Sequence, residues 1–220
     1  MNTPNVETAL RLLGPSLAID SSLGTSVAAS DGTRVVTKSV DDPLSHAEVV
    51  ATLTLEALEA LNLRPAEVQA VVCGIGPGPF TGLRVGIAAA QGFAAARRVP
   101  LLPLVSHDAV AFAEFTADPG RLALWVTTDA RRRELFVTGY ARPDSDGIPV
   151  QDAAPALFRN DDPKVTEDPN RVNPSCVDAA DLLALAALRN VAQRGFESPG
   201  ALYLRSPDVT PSQSPKRVTS

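Results

Sequence analysis

Histidine, cysteine and long apolar runs are all scarce in this chain, and each shortage closes off a kind of chemistry. The two histidines, His46 and His107, stand in separate segments, and the serine before each reads as a helix cap rather than a nucleophile, so Ser-His-Asp and Cys-His chemistry has little support. Cys73 and Cys176 lie far apart without CxxC or Cys/His spacing, and read as reduced thiols rather than a staple or a zinc site. No apolar run reaches the roughly 18 residues a membrane span needs, and no signal-peptide pattern opens the chain. A cytoplasmic protein without membrane attachment is therefore expected. Positive charge is scarce too: the net charge is −5 and the pI about 5.1, so no nucleic acid is expected to be held by this chain alone. The run Arg131-Arg132-Arg133 is the one local exception.

What is present is enough apolar sequence, 45% of 220 residues, for one large domain or two small ones. The chain is organised around Val71-Val72-Cys73-Gly74-Ile75-Gly76-Pro77-Gly78-Pro79-Phe80-Thr81-Gly82-Leu83-Arg84. A β-like run ends in alternating glycines, and a helix opens behind Thr81, read as its cap. Two readings stand. One is a phosphate cradle at a helix N-terminus, using Gly76 and Gly78. The other is a rigid strand-to-helix turn. Against the cradle, no P-loop lysine follows, and Pro77 and Pro79 remove two N–H donors.

Before this stretch, residues 1–15 form an N-terminal extension containing a short amphipathic fragment, expected to be peripheral. Strands at Ser16–Ile19, Ser26–Ala29 and Thr33–Thr37 predict an antiparallel meander, since Asp31-Gly32 is a hairpin signal. Asp20, Ser21 and Ser22 occupy its first turn, either as an Mg²⁺ and phosphate-binding corner or as a self-bonded β-turn. A helix over 45–61, capped by Asp42 or Ser45, and a second over 82–96 are apolar nearly all round. That predicts burial on two sides, one of them against another subunit. After a strand at Leu101–Val105, Ser106 is expected to cap a helix over 107–115. Strands at 122–127 and 134–140 pair, residues 142–173 read as surface loops, a helix spans 179–194 and a short strand 201–204. Residues 206–220 are expected to be a disordered tail.

These elements, with Leu17-Ala18-Ile19-Asp20-Ser21-Ser22, His46-Ala47-Glu48, the Gly76–Arg84 stretch, Asp129-Ala130-Arg131 with Glu134, and Leu202-Tyr203-Leu204-Arg205, resemble the TsaB (YeaZ) family of tRNA threonylcarbamoyladenosine (t6A) biosynthesis proteins. The likeness covers residues 16–208. It implies an α/β RNase H-like (actin-like ATPase) fold in two tandem lobes, 16–105 and a reduced 106–205, with helix 179–194 packed back on the first. The family usually has Ser where this chain has Pro79, and Thr where it has Ser21.

The resemblance also implies a subunit without catalysis of its own. It would dimerise with and activate a TsaD-like subunit that modifies adenosine 37 of tRNAs reading A-starting codons, alongside a TsaE-like ATPase. Alone it would homodimerise, and it would meet tRNA only through the complex. The implied partner interface comprises His46, Val50, Leu53 and Leu58 of the first long helix. Phe80, Thr81, Leu83, Arg84, Ile87 and Ala90 complete it at the second. The catalytic relative's metal pattern, His-x-Glu-Gly-His, becomes His46-Ala47-Glu48-Val49-Val50 here; it lacks the second histidine, so no metal is expected. Asp129, Arg131 and Glu134 form a polar loop end, read as ion-paired or as a partner or tRNA contact. No cofactor is expected beyond weak ATP or ADP binding at Asp20 and the glycine loop. The alternative function is a stand-alone ATP-dependent phosphotransferase or ATPase using that corner.

Overall fold

The computed structural model describes residues 5–41 and 46–205. The chain opens on helix α1 (Val6–Leu13), capped by the Asn5 side chain, which accepts from the Thr8 amide at 2.9 Å. Strands β1 (Ser16–Asp20), β2 (Thr25–Ser30) and β3 (Val35–Val40) form the antiparallel meander. Helix α2 (His46–Ala60), strand β4 (Ala70–Gly74), helix α3 (Phe80–Arg97) and strand β5 (Leu101–Leu104) follow. Parallel neighbours need crossover connections, and α2 and α3 supply them. The result is a five-stranded sheet of order β3-β2-β1-β4-β5.

A second, four-stranded sheet is built by β6 (Ala123–Arg131), β7 (Glu134–Ala141), β8 (Val150–Arg159) and β9 (Arg171–Val172), in the order β8-β7-β6-β9. Helix α4 (Ser106–Ala117) precedes it, the short helix α5 (Pro163–Thr166) lies before β9, and α6 (Ala179–Val191) closes the fold.

Both faces of the first sheet are covered, so β1, β2 and β4 are buried throughout. Strand alternation sends Leu17, Ile19, Val27, Ala29, Val71 and Cys73 toward α2 and α3. Ala18, Ala28 and Val72 face the opposite layer, which holds α1, α4 and α6 and continues to Leu124, Val126 and Tyr140 of the second sheet. Helix α6 lies in the middle of this layer, packing on the first sheet as well as on α1 and α4. Its Leu182, Leu183, Leu185 and Leu188 are all buried, each stabilising the fold by roughly 2 kcal/mol.

Several expectations need correction. The N-terminal helix is not peripheral: Ala9, Leu10 and Leu13 are buried against α6, because its amphipathic face meets an apolar helix that needs covering. Residues 142–173 are not mainly loops, since the ten-residue β8 pairs with β7. It reads poorly because it is an edge strand, half-exposed along its length, with Pro155 beside a register shift. Residues 201–204 carry no strand, although the Leu202 amide donates to the Ile75 carbonyl at 2.8 Å. Thr81 lies inside α3 and Ser106 inside α4; Pro79 and Val105 precede them without side-chain caps. The Asp42 and Ser45 caps and the 206–220 tail lie outside the described residues. Among the described residues, no helix is long and apolar enough to cross a membrane.

Candidate functional site

β1 and β4 run parallel and end side by side, at Asp20 and Gly74. The Asp20 carboxylate turns inward at that end and is 1% exposed. Its Oδ1 accepts from the Ser22 amide at 2.8 Å and the Ser22 hydroxyl at 2.6 Å, an Asx turn. Its Oδ2 accepts from the Ser106 hydroxyl at 2.5 Å. Ser106 Oγ accepts in turn from the Gly76 amide at 3.0 Å, and the Ser106 amide donates to the Gly76 carbonyl at 2.7 Å. Ser21 Oγ donates to the Gly82 carbonyl at 2.7 Å and accepts from the Gly86 amide at 3.1 Å. Those two groups are four residues apart in α3, a spacing that a regular helix pairs directly.

The glycines serve this closure. A Cβ on Gly74 would stand 1.8 Å from Asp20 Oδ2, and one on Gly78 would stand 2.7 Å from the Ser22 carbonyl. Gly76 has φ 101, a backbone conformation that favours glycine. Asp20, Ser21, Ser22, Gly76 and Gly78 are thus brought together, but around one another: these hydrogen bonds are internal and all five residues are buried. Chemically the arrangement is a lock between strand ends and α3. Beside it, burial and the Asp20 charge push the Cys73 thiol up to about 12, which keeps it protonated and unreactive near neutral pH.

The first turn of α4 extends the lock toward the second sheet. Ser106, His107 and Asp108 are consecutive, polar and buried. His107 sits between Thr138 Oγ1 at 2.8 Å and Thr128 Oγ1 at 3.0 Å, and burial lowers its pKa to about 3. Both ring nitrogens are engaged. Asp108 Oδ1 accepts from the Tyr140 hydroxyl and from Gln151 Nε2, each at 2.7 Å, and Arg189 approaches Oδ2 at 3.7 Å. Burial pushes the Asp108 carboxyl upward despite these donors. Sequence reasoning missed His107 and Asp108; three polar residues in a row at a helix start was the available signal.

The expected interface residues divide sharply. Val50, Leu53, Leu58, Leu83, Ile87 and Ala90 are buried in the chain's own core, facing the first sheet. They are corrected from partner-facing to sheet-facing: the exposed face of α2 carries Glu48, Thr52, Glu56 and Glu59, which leaves its opposite, apolar face for the sheet, and the sheet takes the Leu83–Ile87–Ala90 stripe of α3. The outward face of α2 carries Ala47, Ala51 and Leu55, the last 52% exposed, beside Glu48, Thr52, Glu56 and Glu59, and that of α3 carries Ala88, Gln91, Gly92 and Ala95. Thr81 and Arg84 are exposed and Phe80 is half-buried. The His46 side chain lies outside the described residues.

Phe80 and Arg84 anchor the segment that ends the described chain. Tyr203 stacks on Phe80 with centroids 4.8 Å apart, the Arg84 guanidinium lies 3.7 Å from the Phe80 centroid, and Arg84 Nε donates to the Tyr203 hydroxyl at 2.8 Å. Two residues on, Arg205 ion-pairs with Glu134 and donates to the Ala130 carbonyl at 3.4 Å. Asp129 Oδ1 accepts from the Arg131 amide at 2.8 Å. Glu134 is therefore partnered by Arg205, and Asp129 caps backbone; the expected ion-paired loop end is built with Arg205 in place of the Arg131 guanidinium. Arg131, Arg132 and Arg133 form the hairpin tip with φ of 61, 54 and 61.

Comparison with known proteins gives a consistent result. Residues 44–158 match the model of the family described as TsaD, tRNA N6-adenosine threonylcarbamoyltransferase. An uncharacterized protein of Mycobacterium tuberculosis is 40% identical over 107 residues, 49% of this chain and 46% of that protein. The tRNA threonylcarbamoyladenosine biosynthesis protein TsaB of Escherichia coli is 28% identical over 106 residues, 48% of this chain and 45% of that protein. The chain spans about half the length of the curated relatives it matches. YeaZ from Pseudomonas aeruginosa superposes with a TM-score of 0.75 at 23% identity, covering 87% of this chain and 100% of that one. The shared architecture is the RNase H-like, actin-like fold.

Proposed function

We propose, because this chain belongs to the TsaB (YeaZ) branch of the TsaD family, that it is a non-catalytic partner subunit in forming t6A at adenosine 37 of tRNA. It docks on a TsaD-like subunit through the outward faces of α2 and α3, works alongside a TsaE-like ATPase, and pairs with itself when alone. The carrying observation is the contrast between these two helices' outer faces and the Asp20 corner. The corner spends its carboxylate and hydroxyls on internal bonds, while the helices present Ala47, Ala51, Ala88, Gly92 and Ala95 and an exposed Leu55 outward, flanked on α2 by Glu48, Glu56 and Glu59. Small residues let a second helix layer approach closely, as a packed subunit interface requires.

The test combines a mass measurement of the complex with reconstitution of tRNA modification. Leu55→Glu and Ala88→Glu place a charge on the outer face without touching the core. Both should abolish complex formation and modification while leaving the melting temperature unchanged. Intact complex and full modification with both variants would overturn the reading. The ATP-dependent alternative predicts micromolar, Mg²⁺-dependent ATP binding that Asp20→Ala abolishes.

A further inference from the structure

The outward faces of α2 and α3 differ in the sign of their charge. Helix α2 carries Glu48, Glu56 and Glu59 on its exposed side and has no Lys or Arg along its length. Helix α3 has no Asp or Glu; its exposed charges are Arg84 near the start and Arg98 at the C-cap. Arg97 is turned back and donates to the Ala66 carbonyl. Arg84 is held in place, since its guanidinium lies 3.7 Å from the Phe80 centroid and the Tyr203 hydroxyl accepts from its Nε at 2.8 Å. The two helices are neighbours: α2 packs on β2 and β3, α3 on β1 and β4, and each on the other. Both run in the same direction, because each returns from the end of one strand to the start of a strand parallel to it. The exposed layer is therefore acidic along one helix and basic along the other. Gly92 adds a separate observation. Glycine inside a helix weakens it relative to alanine, yet a Cβ on Gly92 would meet nothing within 4 Å, so the chain's own packing does not call for it. A second helix approaching closely does.

We infer that this division of charge fixes how two copies of the chain meet: the acidic α2 of one packs across the basic α3 of the other, an inference that rests on the docking faces proposed above. A two-fold axis along the helices produces this pairing twice, so one chain supplies everything its own copy needs. An axis across the helices would instead set α2 on α2 and α3 on α3, with like charges opposed. Charge at such a face sorts partners and arrangements more than it adds affinity, and like-charge opposition is what excludes the second arrangement.

The experiment measures self-association of the full chain by sedimentation equilibrium, with charge reversals on either helix. Glu56→Lys/Glu59→Lys on α2 and Arg84→Glu/Arg98→Glu on α3 should each weaken association about tenfold, since every altered contact occurs twice in a two-fold pair. An equimolar mixture of the two variants should regain the parent's association, because each then meets the opposite sign. Net charge alone predicts the reverse for the α2 variant: replacing glutamate by lysine on a chain at −5 lessens general repulsion and would tighten association. Gly92→Gln, which meets nothing in its own chain, should keep the melting temperature and still weaken association. It and the α2 reversal leave Tyr203 untouched, so they decide the matter even where Arg84→Glu disturbs the fold. The inference is overturned if the parent stays monomeric, or if the α2 reversal associates within twofold of it. It is also overturned if the mixture of well-folded variants fails to regain association. The two readings fail separately. Charge-sorted pairing by a chain that does not affect tRNA modification sinks the proposed function alone. A chain required for modification whose self-association ignores the reversals sinks this pairing alone.

Discussion

The first turn of α4 faces two ways, and its two sides use different chemistry. Toward the first sheet, Ser106 joins Asp20, Ser22 and the Gly76 backbone in a lock of hydroxyls and amides around one carboxylate. Toward the second sheet, His107 and Asp108 bury groups that titrate, among Thr128, Thr138, Tyr140, Gln151 and Arg189. The first lock is limited by space and the second by protonation. Steric substitutions should therefore break the packing at the first sheet, and acid that at the second.

The largest effect is expected at Gly74. An alanine there must displace the Asp20 carboxylate, which three donors hold in place. Gly74→Ala should cost roughly 3–5 kcal/mol through overpacking and broken buried hydrogen bonds. Urea unfolding followed by tryptophan fluorescence would measure it. A loss below about 1 kcal/mol would mean that the corner yields easily and is no lock.

Acid should act through His107. Its pKa falls from 6.5 to about 3 on folding, so only the unfolded chain takes up a proton in between. Stability present above pH 6.5 is lost as the pH falls toward 3. His107→Gln, which can still meet both threonine hydroxyls, should flatten this slope. An equal slope in both proteins would place the acid sensitivity elsewhere.

The two aspartates sharpen the contrast at a smaller scale. Asp20→Asn puts an amide donor where Oδ2 accepts from Ser106, whose hydroxyl is itself needed by Gly76, and should cost about 1–3 kcal/mol. Asp108→Asn keeps an oxygen for Tyr140 and Gln151 and relieves the burial of a charge, so it should cost less, about 1 kcal/mol. Equal losses in paired urea titrations would erase the distinction between the locks.

Much of the first sheet was legible in the sequence, because its signals are local. Asp31-Gly32 marks the β2–β3 hairpin, and the apolar runs of β1 and β4 mark strands buried on both faces. The second sheet was less so. β8 is an edge strand whose half-exposed residues carry no clean alternation, and only its partner β7 holds it in place. The candidate site divides in the same way. Asp20 and the glycines were read together because they share two adjacent strand ends. The outward face of α3 could not be chosen, since a nearly all-apolar helix leaves that choice to the sheet beneath it, whereas Glu48, Thr52, Glu56 and Glu59 mark the outer side of α2 in the sequence itself. Arg205 meeting Glu134, and Tyr203 meeting Phe80, are contacts between distant segments that no local pattern carries.

The smallest expected effect opposes that of His107. Asp181, in the first turn of α6, has its pKa raised from 3.8 to about 6, by burial first and by the neighbouring Asp178 charge second. A carboxyl whose pKa rises on folding stabilises the fold when protonated, so this contribution appears as the pH drops below about 6 and is lost as it rises through that value. Partial exposure screens it, which keeps it below the His107 effect. Asp31 is held low by the Arg34 amide and the Thr33 hydroxyl, so its own loss begins only below 3.8, outside this window. Asp108 acts in the same direction as Asp181, so the test must be differential. In the His107→Gln background, urea midpoints would be compared between about pH 7 and pH 4 with and without Asp181→Asn. The added substitution should raise stability at the neutral end and leave the acid end nearly unchanged. A uniform shift at both ends would show that Asp181 contributes through packing and not through its proton.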